Sequence, residues 1–113
     1  MKKIEAVIRK DKLEPVKMLL ATLGYYRIAI AEVILANQGK YSTKGGFKEH
    51  RLGYFPELKI ELVINNEDVS SVLSAIVRGA KTGDICDDDI FIIPIEDVIR
   101  VRTGDPVSTL FRR

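Results

Sequence analysis

Two arginines one residue apart, Arg100 and Arg102, and a run of three aspartates, Asp87-Asp88-Asp89, are the groups in this chain best placed to do chemistry. On a strand, a spacing of two sends both guanidinium groups to one face. A pair of permanent forks there makes a phosphate clamp; surface salt bridging is the plainer alternative. The aspartates have three readings. They can pair with the arginines, form a solvated turn, or hold Mg²⁺ or Ca²⁺, hard cations suited to carboxylates, with Asp87 and Asp88 as the candidate ligands. Cys86 precedes them and is the only cysteine, so no internal disulfide can form. Beside the arginine pair its thiol would become more reactive, but a small residue with no chemical role is the plainer reading. His50 is the only histidine. It titrates near neutral pH, yet no paired nucleophile is in view, so it reads as a contact residue and the chain as no enzyme.

The elements that must position these groups belong to one domain, 1–113. The chain has 113 residues, 46% of them hydrophobic, enough for a packed core. Lys and Arg number 18 against 16 Asp and Glu, a net charge of +2, which argues against a nucleic-acid partner. There is no apolar run long enough to span a membrane and no apolar leader after Met1, so a cytoplasmic location is expected.

The chain repeats itself. Lys3-Ile4-Glu5-Ala6-Val7-Ile8 recurs as Lys59-Ile60-Glu61-Leu62-Val63-Ile64. Each copy leads into a helical stripe: Leu13, Val16, Leu20 and Leu23 after the first, Val69, Val72, Leu73 and Ile76 after the second. Asp11 and Asn66 are expected to cap these helices, and Gly24 and Gly83 to end them. Ile28 to Leu35 and Ile90 to Ile95 read as further strands, and Asp97 to Arg102 as a last one. The order is β-α-β twice, then an extra C-terminal strand: an α+β, ferredoxin-like βαββαβ sandwich. Ile4, Ala6 and Ile8 would face the helices. Glu5, Val7, Glu61 and Val63 would form a mixed opposite face, read as a subunit interface or else as a solvated sheet.

Between the halves lies 37–56, NQGKYSTKGGFKEHRLGYFP, with four glycines, no period and several apolar anchors. So long a stretch inside so small a domain is usually functional. It suits an arm that binds a protein partner, and a linker packed on its own body is the alternative.

The blocks MKKIEAVIRKDKLEPVKMLLATLG, Thr82-Gly83-Asp84-Ile85, Ile90-Phe91-Ile92 and Val98-Ile99-Arg100-Val101-Arg102-Thr103-Gly104 together resemble the PII signal-transduction family (nitrogen regulatory protein P-II) over nearly the whole chain. The resemblance implies a homotrimer with clefts between subunits that bind a small effector, ADP, AMP or ATP with Mg²⁺. It also implies long loops that engage a membrane transporter or a metabolic enzyme of nitrogen metabolism. The effector positions it implies are Ala29, Asn37, Gln38, Val63, Cys86, Asp87, Asp88, Asp89, Arg100 and Arg102. Gln38 falls near the glutamine that helps hold magnesium and 2-oxoglutarate. The partner-loop positions are Phe47, His50, Arg51 and Tyr54.

The chain also departs from the family. Cys86-Asp87-Asp88-Asp89 stands where the family has Gly-Asp-Gly-Lys, Glu57 where it has lysine, and Ala29 where a threonine contacts adenine. His50 occupies the place of the tyrosine that is covalently modified. Lost cations and gained carboxylates disfavour a triphosphate unless a cation bridges it. The alternative function is a trimer of this kind that has lost nucleotide sensing and serves as a structural or metal-responsive module.

Overall fold

The first strand, β1 (Lys2–Ile8), shows why this chain makes a sheet with one dry face. Ile4, Ala6 and Ile8 are buried, while Lys3, Glu5 and Val7 between them are half-buried. The computed structural model describes residues 1–37, 53–81 and 89–106. Within them β1 is followed by α1 (Leu13–Thr22), β2 (Ala29–Asn37), β3 (Gly53–Ile64), α2 (Val69–Ala80) and β4 (Ile90–Pro94). The strands lie in the order β2-β3-β1-β4, every neighbour antiparallel. This is the ferredoxin-like βαββαβ plan that the internal repeat predicts.

The repeat extends to the backbone. β1 and β3 pair in register, Lys3 opposite Val63 and Glu5 opposite Glu61, so the two copies form the centre of the sheet. Each helix is entered through a single 3-10 turn, Lys10–Lys12 in one half and Asn66–Asp68 in the other. The residues before these turns are extended, Arg9 at φ −70°, ψ 147° and Asn65 at φ −72°, ψ 151°. The turns shift the helix starts, so Asp11 and Asn66 do not cap them. The positions preceding α1 and α2 are Lys12 and Asp68, and neither makes a side-chain cap. Asp11 instead pairs with Arg9 at 3.1 Å.

At the far end of α1, Gly24 stands at φ 91° as expected. Its N–H bonds to the Ala21 carbonyl at 2.9 Å and the Tyr25 N–H to the Leu20 carbonyl at 3.0 Å. That is the Schellman arrangement, which needs a left-handed residue at this point. Gly83 lies outside the described residues.

Both helices cover one sheet face. Val16 and Leu20 of α1 and Val72, Ala75 and Ile76 of α2 pack on Ile4, Ala6, Ile8, Ile60, Leu62 and Ile64. Full burial of each large aliphatic side chain contributes about 1.5–3 kcal/mol. Leu13 is partly buried against this core, whereas Leu23, expected on the stripe, is 40% exposed because α1 has already ended. The helices touch where α2 carries a glycine. A Cβ on Gly79 would sit 2.8 Å from Val16 Cγ2 and 2.9 Å from Val16 Cα.

Two strand boundaries differ from expectation. β2 runs through Asn37 and β3 begins at Gly53, so the connection between the halves is 38–52 rather than 37–56. Pro56 sits inside β3, opposite Ile34. Among the described residues the expected C-terminal strand at Asp97–Arg102 does not form: that segment makes one bridge, Ile99 with Pro106, and turns at Val101–Thr103. Val98 is half-buried there, whereas Ile99 is 56% exposed and Val101 is fully exposed. Among the described residues no helix is long and apolar enough to cross a membrane.

Candidate functional site

The sheet face opposite the helices carries a ladder of charge. Lys3 Nζ lies 3.0 Å from Glu5 and 3.5 Å from Glu61, and Lys59 Nζ lies 3.2 Å from Glu61. Glu5 and Glu61 are directly opposed across β1 and β3, a like-charge pair that the two lysines offset. The hydrogen bond from Lys59 holds the Glu61 carboxyl below its ordinary value, and the hydrogen bond to Glu5 raises Lys3. The signs follow. The stabilisation from Glu61 is present above about pH 4.5 and lost as pH falls through its lower folded value. That from Lys3 is present below about pH 10.5 and lost as pH rises through its higher one. An acid titration of folding should therefore fall less steeply below pH 4.5 in Glu61→Gln than in the wild type. Equal slopes would show that the ladder is too solvated to matter.

At the Lys3 end of this face the C-terminal segment folds back and closes an open groove of about 1140 Å³. A hairpin turn builds one wall. The Arg100 N–H bonds to the Asp105 carbonyl at 3.0 Å and the Gly104 N–H to the Arg100 carbonyl at 2.7 Å, with Gly104 at φ 75°. Arg100 and Arg102 both line the groove from this turn. A hairpin tip, not the expected strand alternation, brings them together. Across from them lie Ala29 and Val63, two further positions expected in the site. Lys3, Glu61, Tyr26 and Arg27 line it as well, and these were not anticipated. The signal available for the last two was a Tyr-Tyr-Arg run immediately after the helix-stop glycine.

Lys3 is committed to Glu5 and Glu61. Among the described residues no ion pair engages Arg100 or Arg102. Both are exposed. Two guanidiniums over apolar walls fit the phosphate end of a ring-bearing anion.

The remaining expected positions lie elsewhere. Asp89 is exposed just before β4, and its carbonyl accepts the Val7 N–H at 3.4 Å. Val7 and Lys3 are four residues apart on β1, about 13 Å along a strand. Asp89 and the arginine turn therefore sit toward opposite ends of the sheet, and no ion pair joins them within the chain. Glu57 is buried near the Asp89 end, with 4% exposure, on the open sheet face opposite Val33. Asn37 ends β2 opposite Gly53, and the Tyr54 backbone pairs with Ala36. Gln38, Phe47, His50, Arg51, Cys86, Asp87 and Asp88 lie outside the described residues. Among the described residues no cluster of His, Cys, Asp or Glu could hold a metal ion.

A ferredoxin-like sandwich with a cationic groove at one end of its open face is a scaffold suited to binding an anion. Comparison with known proteins makes the class specific. The family model for nitrogen regulatory protein P-II matches residues 1–105, and this chain belongs to that family. It is 41% identical over 110 residues to nitrogen regulatory protein P-II 2 of Methanothermobacter thermautotrophicus, covering 93% of this chain and 92% of that protein. It is 39% identical over 106 residues to nitrogen regulatory protein P-II of Nostoc punctiforme, covering 93% and 95%. The crystal structure of Arabidopsis thaliana PII bound to citrate superposes with a TM-score of 0.74 at 30% identity, covering 93% of this chain and 83% of that one.

Proposed function

We propose that this chain is a cytoplasmic regulator of nitrogen metabolism that senses an adenine nucleotide and passes the signal to a protein target. The observation that carries the effector half is the pair of exposed guanidiniums, Arg100 and Arg102, in one groove with the apolar Ala29 and Val63. The chain works as a homotrimer in this reading, its charged sheet faces packed together. The arginine groove of one copy then meets the Asp89 and Glu57 end of the next, which one copy alone does not achieve. Effector occupancy shifts the balance between states of the connection 38–52, and a transporter or metabolic enzyme distinguishes those states by differential contacts.

The acidic end gives the cleft mixed polarity. Nucleotide phosphates favour the arginines and are repelled by Asp89 and Glu57, so ATP is expected to gain affinity when Mg²⁺ is present. Calorimetric titration of the full chain with AMP, ADP, and ATP with and without Mg²⁺ tests this, alongside light scattering for mass. Three copies per particle and heat from at least one nucleotide are expected. A monomer, or no heat from any nucleotide, would overturn the proposal.

A further inference from the structure

Cationic character missing at one end of this fold is present at another. Arg27 lines the same groove as Arg100 and Arg102. It is exposed, and among the described residues no ion pair engages it. Its neighbour Tyr26 also lines the groove and is 79% exposed, unusual for so large a ring.

Both positions are held by what precedes them. Gly24 breaks α1 in the left-handed conformation. Tyr25 then turns inward against the core, where its hydroxyl donates to the Asp68 carboxylate and accepts the Asn65 N–H at 3.3 Å. A residue anchored at both its backbone N–H and its ring tip leaves the next side chain to the outer side. The Tyr26-Arg27 pair is thereby mounted on a fixed support rather than on a free loop. Three guanidiniums and an aromatic lip around one groove make a site for a flat ring joined to more than one negative charge.

We infer that Arg27 and Tyr26 are effector-binding residues of this groove, Arg27 contacting the anionic end and Tyr26 stacking on the ring of a nucleoside di- or triphosphate. The inference rests on the effector reading given above and adds to it the residues that set ligand preference. Truncating a charged hydrogen-bonding group or a stacked ring is expected to lower affinity by about tenfold, the low end of what such contacts contribute.

The test is calorimetric titration of the full chain with ADP and ATP at two salt concentrations, using wild type, Arg27→Ala, Arg27→Lys, Tyr26→Ala and Tyr26→Phe. Circular dichroism confirms that each exposed-site variant is folded. Arg27→Ala should weaken binding about tenfold and flatten its salt dependence, with Arg27→Lys partly restoring both. Tyr26→Ala should weaken it about tenfold while Tyr26→Phe retains it, since the ring and not the hydroxyl stacks. Wild-type binding unchanged within twofold by Arg27→Ala and Tyr26→Ala would overturn this inference and leave the effector reading standing. A wild type that binds neither nucleotide would overturn both.

Discussion

Replacing Arg100 and Arg102 together by alanine is expected to weaken adenine-nucleotide binding by about 100-fold or more while leaving the fold intact. Both guanidiniums are lost at once. Each guanidinium offers charge-assisted hydrogen bonds worth about 1.5–3 kcal/mol, so losing both removes about 3–6 kcal/mol, against about 2.7 kcal/mol for a hundredfold change. The folding side rests on where the residues sit. Both are exposed, and the turn that carries them is closed by backbone bonds, Arg100 N–H to the Asp105 carbonyl and Gly104 N–H to the Arg100 carbonyl. Alanine preserves those bonds. The double lysine variant keeps the charge and loses the planar fork, so its affinity should fall between the two. Calorimetry gives the affinities and circular dichroism the fold. Equal affinity in all three proteins would show that phosphate binds elsewhere.

Gly79→Ala is expected to destabilise the protein although alanine is the better helix former. In an exposed helix the exchange stabilises by about 1 kcal/mol. At this position the added methyl meets not only Val16 Cγ2 at 2.8 Å but also the Val16 Cα and N at 2.9 and 3.0 Å. A side chain can rotate away; a helix backbone must shift. Val16 is itself fully buried, so α1 moves only by opening the core beneath it. Overpacking of this kind costs about 1–3 kcal/mol; set against the helix gain of about 1 kcal/mol, the net loss reaches about 2 kcal/mol, or up to roughly 10 °C in melting temperature for a domain of this size. Gly79→Leu should be worse still. Thermal melts at matched protein concentration provide the measurement, because assembly shifts apparent stability. A higher melting temperature for Gly79→Ala would mean that α1 slides freely over α2.

These expectations show which features could be read from the residues. The repeat at Lys3 and Lys59 was sufficient for the βαββαβ plan, because two identical strand–helix units with alternating Ile4, Ala6, Ile8 and Ile60, Leu62, Ile64 have one sheet face to share. Ala29, Val63, Arg100 and Arg102 do converge on one groove. The strand proposed at Asp97–Arg102 failed for a definable reason. Val98, Ile99 and Val101 have strand-like composition, yet among the described residues only Pro106 pairs there, and a hydrophobic pattern cannot report whether a partner strand exists. The caps failed because a 3-10 turn inserted before each helix moves the start by a few residues, and Asp11 and Asn66 fall inside it. Gly79 was invisible for a different reason. Within α2 it counts only as a poor helix former, and its purpose exists only where a second helix crosses it.

The order β2-β3-β1-β4 reads the same from either edge when the two halves are exchanged, so the sheet has an approximate dyad. Under it the end of β2 corresponds to the end of β4. One is the doorway to the stretch beginning at Gln38, the other to the arginine hairpin. A single exit point, built twice, thus places the end of β2 and the arginine hairpin at opposite ends of the sheet. Within one copy, any influence of one on the other would have to run the length of the central strands.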